Sequence, residues 1–135
     1  MKVDGSCFCG YLTFEAEIDP RDVLLCHCND CQTMTSSAFR IVVPAEPGTF
    51  RLLTGTPTIY VKIADSGNHR KQAFCPKCGT AIYAAPADDA SQFFGLRVGA
   101  LKQRKQLEPK AQVWLRSALP WFAHVTELGG YETED

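Results

Sequence analysis

Seven cysteines fall into three short clusters along the chain, and nothing else in the sequence restricts its fold as strongly: Cys7-Phe8-Cys9, Cys26-His27-Cys28-Asn29-Asp30-Cys31 and Cys75-Pro76-Lys77-Cys78. Within a cluster the thiols are too close in sequence to close a useful disulfide loop, and an odd count leaves one cysteine without a mate. The amino terminus, Met1-Lys2-Val3-Asp4-Gly5, carries no apolar signal region. A reducing, cytoplasmic setting is therefore expected, in which clustered cysteines serve as metal ligands or reactive thiols.

Cys7 and Cys9 stand at i and i+2, so on an extended segment both point to one face and grip one ion. Cys75 and Cys78 have the two-residue gap of a zinc knuckle, followed by Gly79 where the chain must leave a tight turn. Together they supply the four thiolates of a structural zinc, with Zn–S bonds of about 2.3 Å, stapling the start of the chain to its middle. The competing reading is a pair of buried free thiols or a redox couple.

Cys26, Cys28 and Cys31 bring three thiolates from one short loop and leave a fourth position open. An all-sulfur shell favours a thiolate as the incoming ligand, and zinc lowers that thiol's pKa. His27 competes for the vacancy, but on an extended stretch it faces away from Cys26 and Cys28; otherwise it hydrogen-bonds a sulfur or the backbone, or serves as an exposed proton carrier. Asn29 and Asp30 read as turn-formers. The plainer alternative is a second structural zinc completed by His69 or His124.

Between the clusters the chain reads as strand, turn, strand. Strands are expected at Tyr11 to Ile18, at 36–43, 50–53 and 58–63, at Lys71 to Phe74, at Thr80 to Ala84 and at Phe93 to Leu101, rich in β-branched and aromatic residues and bounded by Pro and Gly. The stretch from Leu107 to Trp121, bracketed by Pro109 and Pro120, reads as a short strand or an irregular covering segment rather than a helix. The acidic tail, residues 131–135, is expected to fray. At 135 residues, with no repeat or linker, one domain spanning 1–135 is expected. A formal charge of −1 gives no field for nucleic acid, and no apolar run is long enough to span a membrane.

The ordered motifs C-x-C, C-H-C-x-x-C and C-P-x-C-G resemble the family of glutathione-dependent formaldehyde-activating enzymes. Further likeness lies at Gly5 to Gly10, Ser37-Ala38-Phe39, Phe50 to Gly55, Phe74 to Thr80 and Leu119-Pro120-Trp121, covering about residues 4–122. The resemblance implies a mostly β fold with Mss4-like antiparallel sheets packed around a zinc-stapled core. It also implies two zinc ions: a structural one on Cys7, Cys9, Cys75 and Cys78, and a reactive one on Cys26, Cys28 and Cys31, the second open to partial occupancy. The activity implied is that of a carbon–sulfur lyase or synthase: the sulfur of glutathione enters the open position and adds to formaldehyde, giving S-(hydroxymethyl)glutathione. Gln32 departs from the family pattern, which is often basic after the third cysteine. A non-catalytic zinc module that binds a thiol, a metal or a protein partner is the alternative.

A tripeptide with two carboxylates needs cationic partners, and Arg40, Arg70, Lys71, Arg97 and Arg116 are available, Arg40 foremost because it follows the reactive loop. Phe39, Phe74, Trp114 and Trp121 are the aromatics available to wall a pocket. Trp121, set between Pro120 and Phe122, is the preferred one.

Overall fold

A computed structural model describes residues 1–88 and 92–134. The strands in chain order are β1 (Lys2–Ser6), β2 (Thr13–Glu17), β3 (Leu24–Cys26), β4 (Arg40–Pro44), β5 (Arg51–Thr54), β6 (Thr58–Ile63), β7 (His69–Phe74), β8 (Ala81–Pro86), β9 (Gly95–Arg97) and β10 (Ala111–Val113). They build a three-stranded sheet, β1-β2-β5, and a seven-stranded sheet, β10-β3-β4-β9-β8-β7-β6. The architecture is mostly β, as expected, and every pairing is antiparallel except β10 with β3, which run parallel.

The core lies between the two sheets. Val3, Phe14 and Ala16 alternate inward along β1 and β2, while Val43, Ala73, Tyr83, Ala85 and Leu96 supply the facing surface of the larger sheet. Because side chains alternate, the residues one step along those same strands point to the opposite face. That second face holds Cys26 opposite Arg40, Val42 opposite Arg97, Gln72 opposite Ala84 and Lys62 opposite Arg70. One side of the sheet is apolar core; the other is a polar, cationic floor.

The structure departs from the expected elements in four places. Asn29–Thr35 is a helix, α1, rather than a turn, because the Cys28 sulfur accepts a hydrogen bond from the Cys31 N–H at 3.2 Å and caps its first turn. Its end takes the first residues of the strand expected at 36–43: Ser36 closes the helix at φ 51°, and β4 begins only at Arg40. The strand expected from Phe93 to Leu101 is confined to Gly95–Arg97. Val98–Ala100 then turns as a 3-10 helix, burying Val98 and Leu101 and bringing Leu101 opposite Gly5 of β1. Strands β1 and β3 were not expected from residue pattern.

Residues 107–121 are strand and turn, without an α-helix: β10 is followed by a 3-10 turn at Leu115–Ser117. The tail from Tyr131 to Glu134 is exposed and Asp135 lies outside the described residues. Among the described residues no helix is long and apolar enough to cross a membrane.

Candidate metal centres and active site

The two cysteine pairs sit at the tips of two hairpins, one from each sheet. Cys7 and Cys9 follow β1, Cys75 lies between β7 and β8, and the four sulfurs of Cys7, Cys9, Cys75 and Cys78 lie within 4.8 Å of one another. Cys7 Sγ is 3.6 Å from Cys9 Sγ, which is 3.8 Å from Cys75 Sγ. A tetrahedron with metal–sulfur bonds of about 2.3 Å has edges of about 3.8 Å, so the spacing fits a tetrahedral metal ion. Backbone N–H groups are aimed at the sulfurs, from Leu12 to Cys7 at 3.2 Å and from Lys77 to Cys75 at 3.4 Å.

Gly10 and Gly79 close these turns at φ 84° and 79°, a backbone that a side chain would strain, while their N–H groups bond the carbonyls of Cys7 and Cys75. The hydroxyl of Thr80, 3.2 Å from Cys78 Sγ, is the main cause that draws the Cys78 thiol down to about 5.

The second cluster gathers around the end of β3. Cys26 is its last residue, Cys28 caps α1 and Cys31 stands in the first turn, with all three sulfurs within 4.8 Å of one another. Hydrogen bonding from Cys26 is the largest influence on Cys31, joined by Cys28 and by the Arg40 guanidinium; together they outweigh burial and hold its thiol down to about 5. The same sharing, with burial, pushes Cys26 upward. The trio is thus built to hold negative charge beside a buried guanidinium, and either cluster could hold a metal ion.

A cavity of about 330 Å³ opens beside this trio, lined by all three cysteines and by Lys62, Arg70, Gln72, Phe93 and Arg97. An outer cavity of about 400 Å³ shares Cys28 and Lys62 with it and is walled by Trp114 and Arg116. Lys62 Nζ bonds Asp30 Oδ2 at 2.8 Å, strapping β6 to α1 between the two. A larger cavity, about 710 Å³ around His69 and Asp88, carries no thiol and lacks the chemistry of this one.

Of the arginines and lysines singled out from sequence, Arg40 is 6% exposed and lies against Cys31. Arg70 and Arg97 line the inner cavity and Arg116 the outer. Lys71 lines neither cavity and alternates toward the core side of its sheet. Burial, and the nearby positive charge of Arg40, draw Arg97 down to about 9, so it stays protonated at neutral pH.

His27 is not an exposed proton carrier. It is fully buried, with Nε2 2.9 Å from Gln112 Oε1 of β10 and its ring packed against Phe39 and Phe122 at 6.0 and 4.8 Å. Neither His27, His69 nor His124 joins either sulfur cluster among the described residues. Trp121, half-exposed, lines neither cavity at the trio, and the aromatic that does so from this stretch is Trp114. Trp114 is held at φ 60°, a left-handed backbone that costs a bulky residue about 1–2 kcal/mol, and its indole stacks with Arg116 at 4.8 Å.

Gln32 has a role that spacing gave no sign of. Its amide nitrogen donates to the carbonyl oxygens of His27 and Ser117, both at 2.9 Å, tying the cysteine loop to the segment that carries Trp114 and Arg116. Lys62 and Phe93 are likewise site residues missed by local pattern, because β6 and the segment just before β9 reach the thiols only through the pairing of the sheet.

A family model for glutathione-dependent formaldehyde-activating enzymes matches residues 2–117, most of the chain, including all seven cysteines. The chain belongs to this family. The fold has a counterpart in a crystal structure of a Rhodobacter sphaeroides protein determined as a structural-genomics target, with a TM-score of 0.60 and 21% identity over 82% of this chain and 99% of that one. At that identity the likeness speaks for the fold alone. No curated protein matches the chain.

Proposed function

We propose that this protein is a zinc-dependent carbon–sulfur lyase or synthase that joins a small thiol to formaldehyde, with glutathione as the family's thiol and S-(hydroxymethyl)glutathione as the product. The observation that carries the reading is the three-sulfur cluster of Cys26, Cys28 and Cys31 opening onto a cavity lined by cations. Cys7, Cys9, Cys75 and Cys78 would hold a structural zinc, and Cys26, Cys28 and Cys31 a second one. That second zinc, when bound, supplies a fourth coordination position and lowers the pKa of a thiol placed there.

The chain's own residues do the rest. Arg40 lies against Cys31 and balances the negative charge of the sulfur cluster. Gln32 and His27 fix the loop on which the cysteines stand. Trp114 and the Lys62–Asp30 pair narrow the way in, limiting water at the aldehyde. In the forward direction a carbon–sulfur bond forms as the thiolate adds to the carbonyl carbon, the carbonyl π pair moves to oxygen, and that oxygen takes up a proton. The reverse breaks the same bond and releases thiol and aldehyde. Seven free cysteines suit the cytoplasm, where thiols stay reduced.

The test mixes protein carrying two zinc ions with glutathione and formaldehyde and follows the adduct by NMR. Formation well above the buffer rate, abolished in Cys28→Ser, is expected. A rate equal to buffer with both metals present would sink the proposal.

A further inference from the structure

We infer that β6, the open edge of the seven-stranded sheet, pairs antiparallel with β6 of a second copy of this chain about a two-fold axis at Val61, giving a weak dimer with one continuous sheet. Nothing in this depends on the reaction assigned to the thiols.

A sheet edge presents unpaired N–H and C=O groups, and proteins blunt such edges by shortness, charge, proline, a bulge or a cover. Of the edges of the two sheets, β1 is covered at Gly5 by Leu101 and at Asp4, whose carbonyl accepts from the Lys102 N–H at 2.9 Å. β10 has three residues, and β5 has four with a charged one, Arg51, at its start. β6 has six, rich in β-branched and aromatic residues, in unbroken register with β7 and without a partner on its outer side among the described residues. Its one charge, Lys62, is drawn to Asp30 at 2.8 Å and does not guard the edge.

The hydrogen-bond pattern tells which groups of β6 point outward. Just past the strand the Ala64 N–H donates to the Asn68 carbonyl, and on the other side of β7 the His69 carbonyl accepts from the Ala87 N–H. By the alternation of an antiparallel ladder, Lys62, Tyr60 and Thr58 bond β7, while Ile59, Val61 and Ile63 turn their backbone groups to solvent. A two-fold axis at Val61 sets Val61 against itself and Ile59 against the partner's Ile63, which uses every one of those outward groups in both copies.

Side chains agree with that register. Ile59, Val61 and Ile63 share one face of the strand and meet their own kind across the axis. On the other face, Tyr60 and Lys62 stand on the side of Gln72 and Arg70, and the partner's Tyr60 comes opposite Lys62, the residue that lies between the two cavities. The second copy thereby adds an aromatic ring beside the mouth of the site. Ile59, Tyr60, Val61 and Ile63 are 40–66% exposed. At about 200 Å² for a large apolar residue they leave about 400 Å² open on each copy. With the paired backbones, the two copies bury a total of about 1,000 Å², at the low end of specific interfaces and suited to an association that depends on concentration.

The experiment is sedimentation velocity on the zinc-loaded full chain from about 1 to about 500 µM. It is repeated on Val61→Lys, Ile59→Lys, Ile63→Glu and an equimolar mixture of the last two, with melting temperature measured on each. Wild type is expected to move from monomer toward dimer across that range. Val61→Lys sets two ammonium groups against each other at the axis and should weaken association at least about tenfold. Ile59→Lys and Ile63→Glu should each weaken it alone, whereas their mixture should recover a dimer, because the new ammonium at position 59 then meets the new carboxylate at position 63 of the other chain. The mixture keeps the test decisive if Val61→Lys fails to fold.

Wild type that stays monomeric throughout would overturn the dimer and leave the edge to a strand of some other chain. A dimer that survives Val61→Lys would put the contact on another face and refute the role of β6. A mixture no more associated than its components would refute the register.

Discussion

Replacing Cys75 by serine separates the two sulfur clusters by what they do. Cys75 is 1% exposed, and its sulfur lies 3.8 Å from that of Cys9, 66 positions away in sequence. A metal ion bridging those residues closes a loop of that length, and by the rule for covalent cross-links the unfolded chain loses conformational freedom worth about 4 kcal/mol. For a domain of this size that is a drop in melting temperature on the order of 15 °C. The loss of binding energy at a four-thiolate site comes on top of it. Cys28→Ser should behave differently, because serine is a strong helix cap and keeps the hydrogen bond from the Cys31 N–H that the Cys28 sulfur accepts. Because Cys26, Cys28 and Cys31 close a loop of only a few residues, its melting temperature should fall far less than that of Cys75→Ser, while bound zinc falls from the two ions proposed to one.

The assay is thermal unfolding by circular dichroism with zinc quantified on the same samples. Wild-type protein stripped by a chelator serves as the reference to which Cys75→Ser should converge. If Cys75→Ser melts with the wild type, or Cys28→Ser falls as far as Cys75→Ser, the division into a folding site and a reactive site is wrong.

Other consequences can be measured separately. Gln32→Ala removes two hydrogen bonds, costing about 1–3 kcal/mol, and should speed amide exchange at residues 114–118 while leaving β7 and β8 protected; uniform exchange would refute the tether. In metal-free protein the Cys31 thiol, held down to about 5, stays ionised down to that pH, so its alkylation by iodoacetamide should persist at pH 6, where an ordinary cysteine has become nearly inert; mass mapping of the labelled residue checks this. The Asp4 carboxyl is lowered, first by the Gln103 amide and then by Lys102, so its contribution to stability is present above about pH 4 and is lost as pH falls through the lowered folded value. The urea midpoints of wild type and Asp4→Asn should therefore converge on acidification, and a gap that widens would contradict the sign.

The cysteine clusters were legible because a metal site is written in local spacing. Cys7 and Cys9, or Cys75 and Cys78, need only a short turn to present two sulfurs each, and the alternation in 58–63 likewise marks a strand with no help from distant residues. Helix α1 was harder to see, since its cap is a cysteine sulfur rather than a hydroxyl or carboxylate. His27 was rightly placed facing away from Cys26 and Cys28, yet its burial against Phe122 depends on a segment nearly a hundred positions later.

What the sequence determined by itself was therefore the β character of the chain and the grouping of its thiols, because side-chain period and short-range spacing are properties of neighbouring residues. What the tertiary structure alone decided was the company those thiols keep. Sheet pairing put Arg40, Arg97, Gln72 and Lys62, drawn from four different strands, on one face with Cys26, and it chose Trp114 rather than Trp121 to wall the entrance. Register between strands far apart in sequence fixes those meetings, and no local pattern contains it.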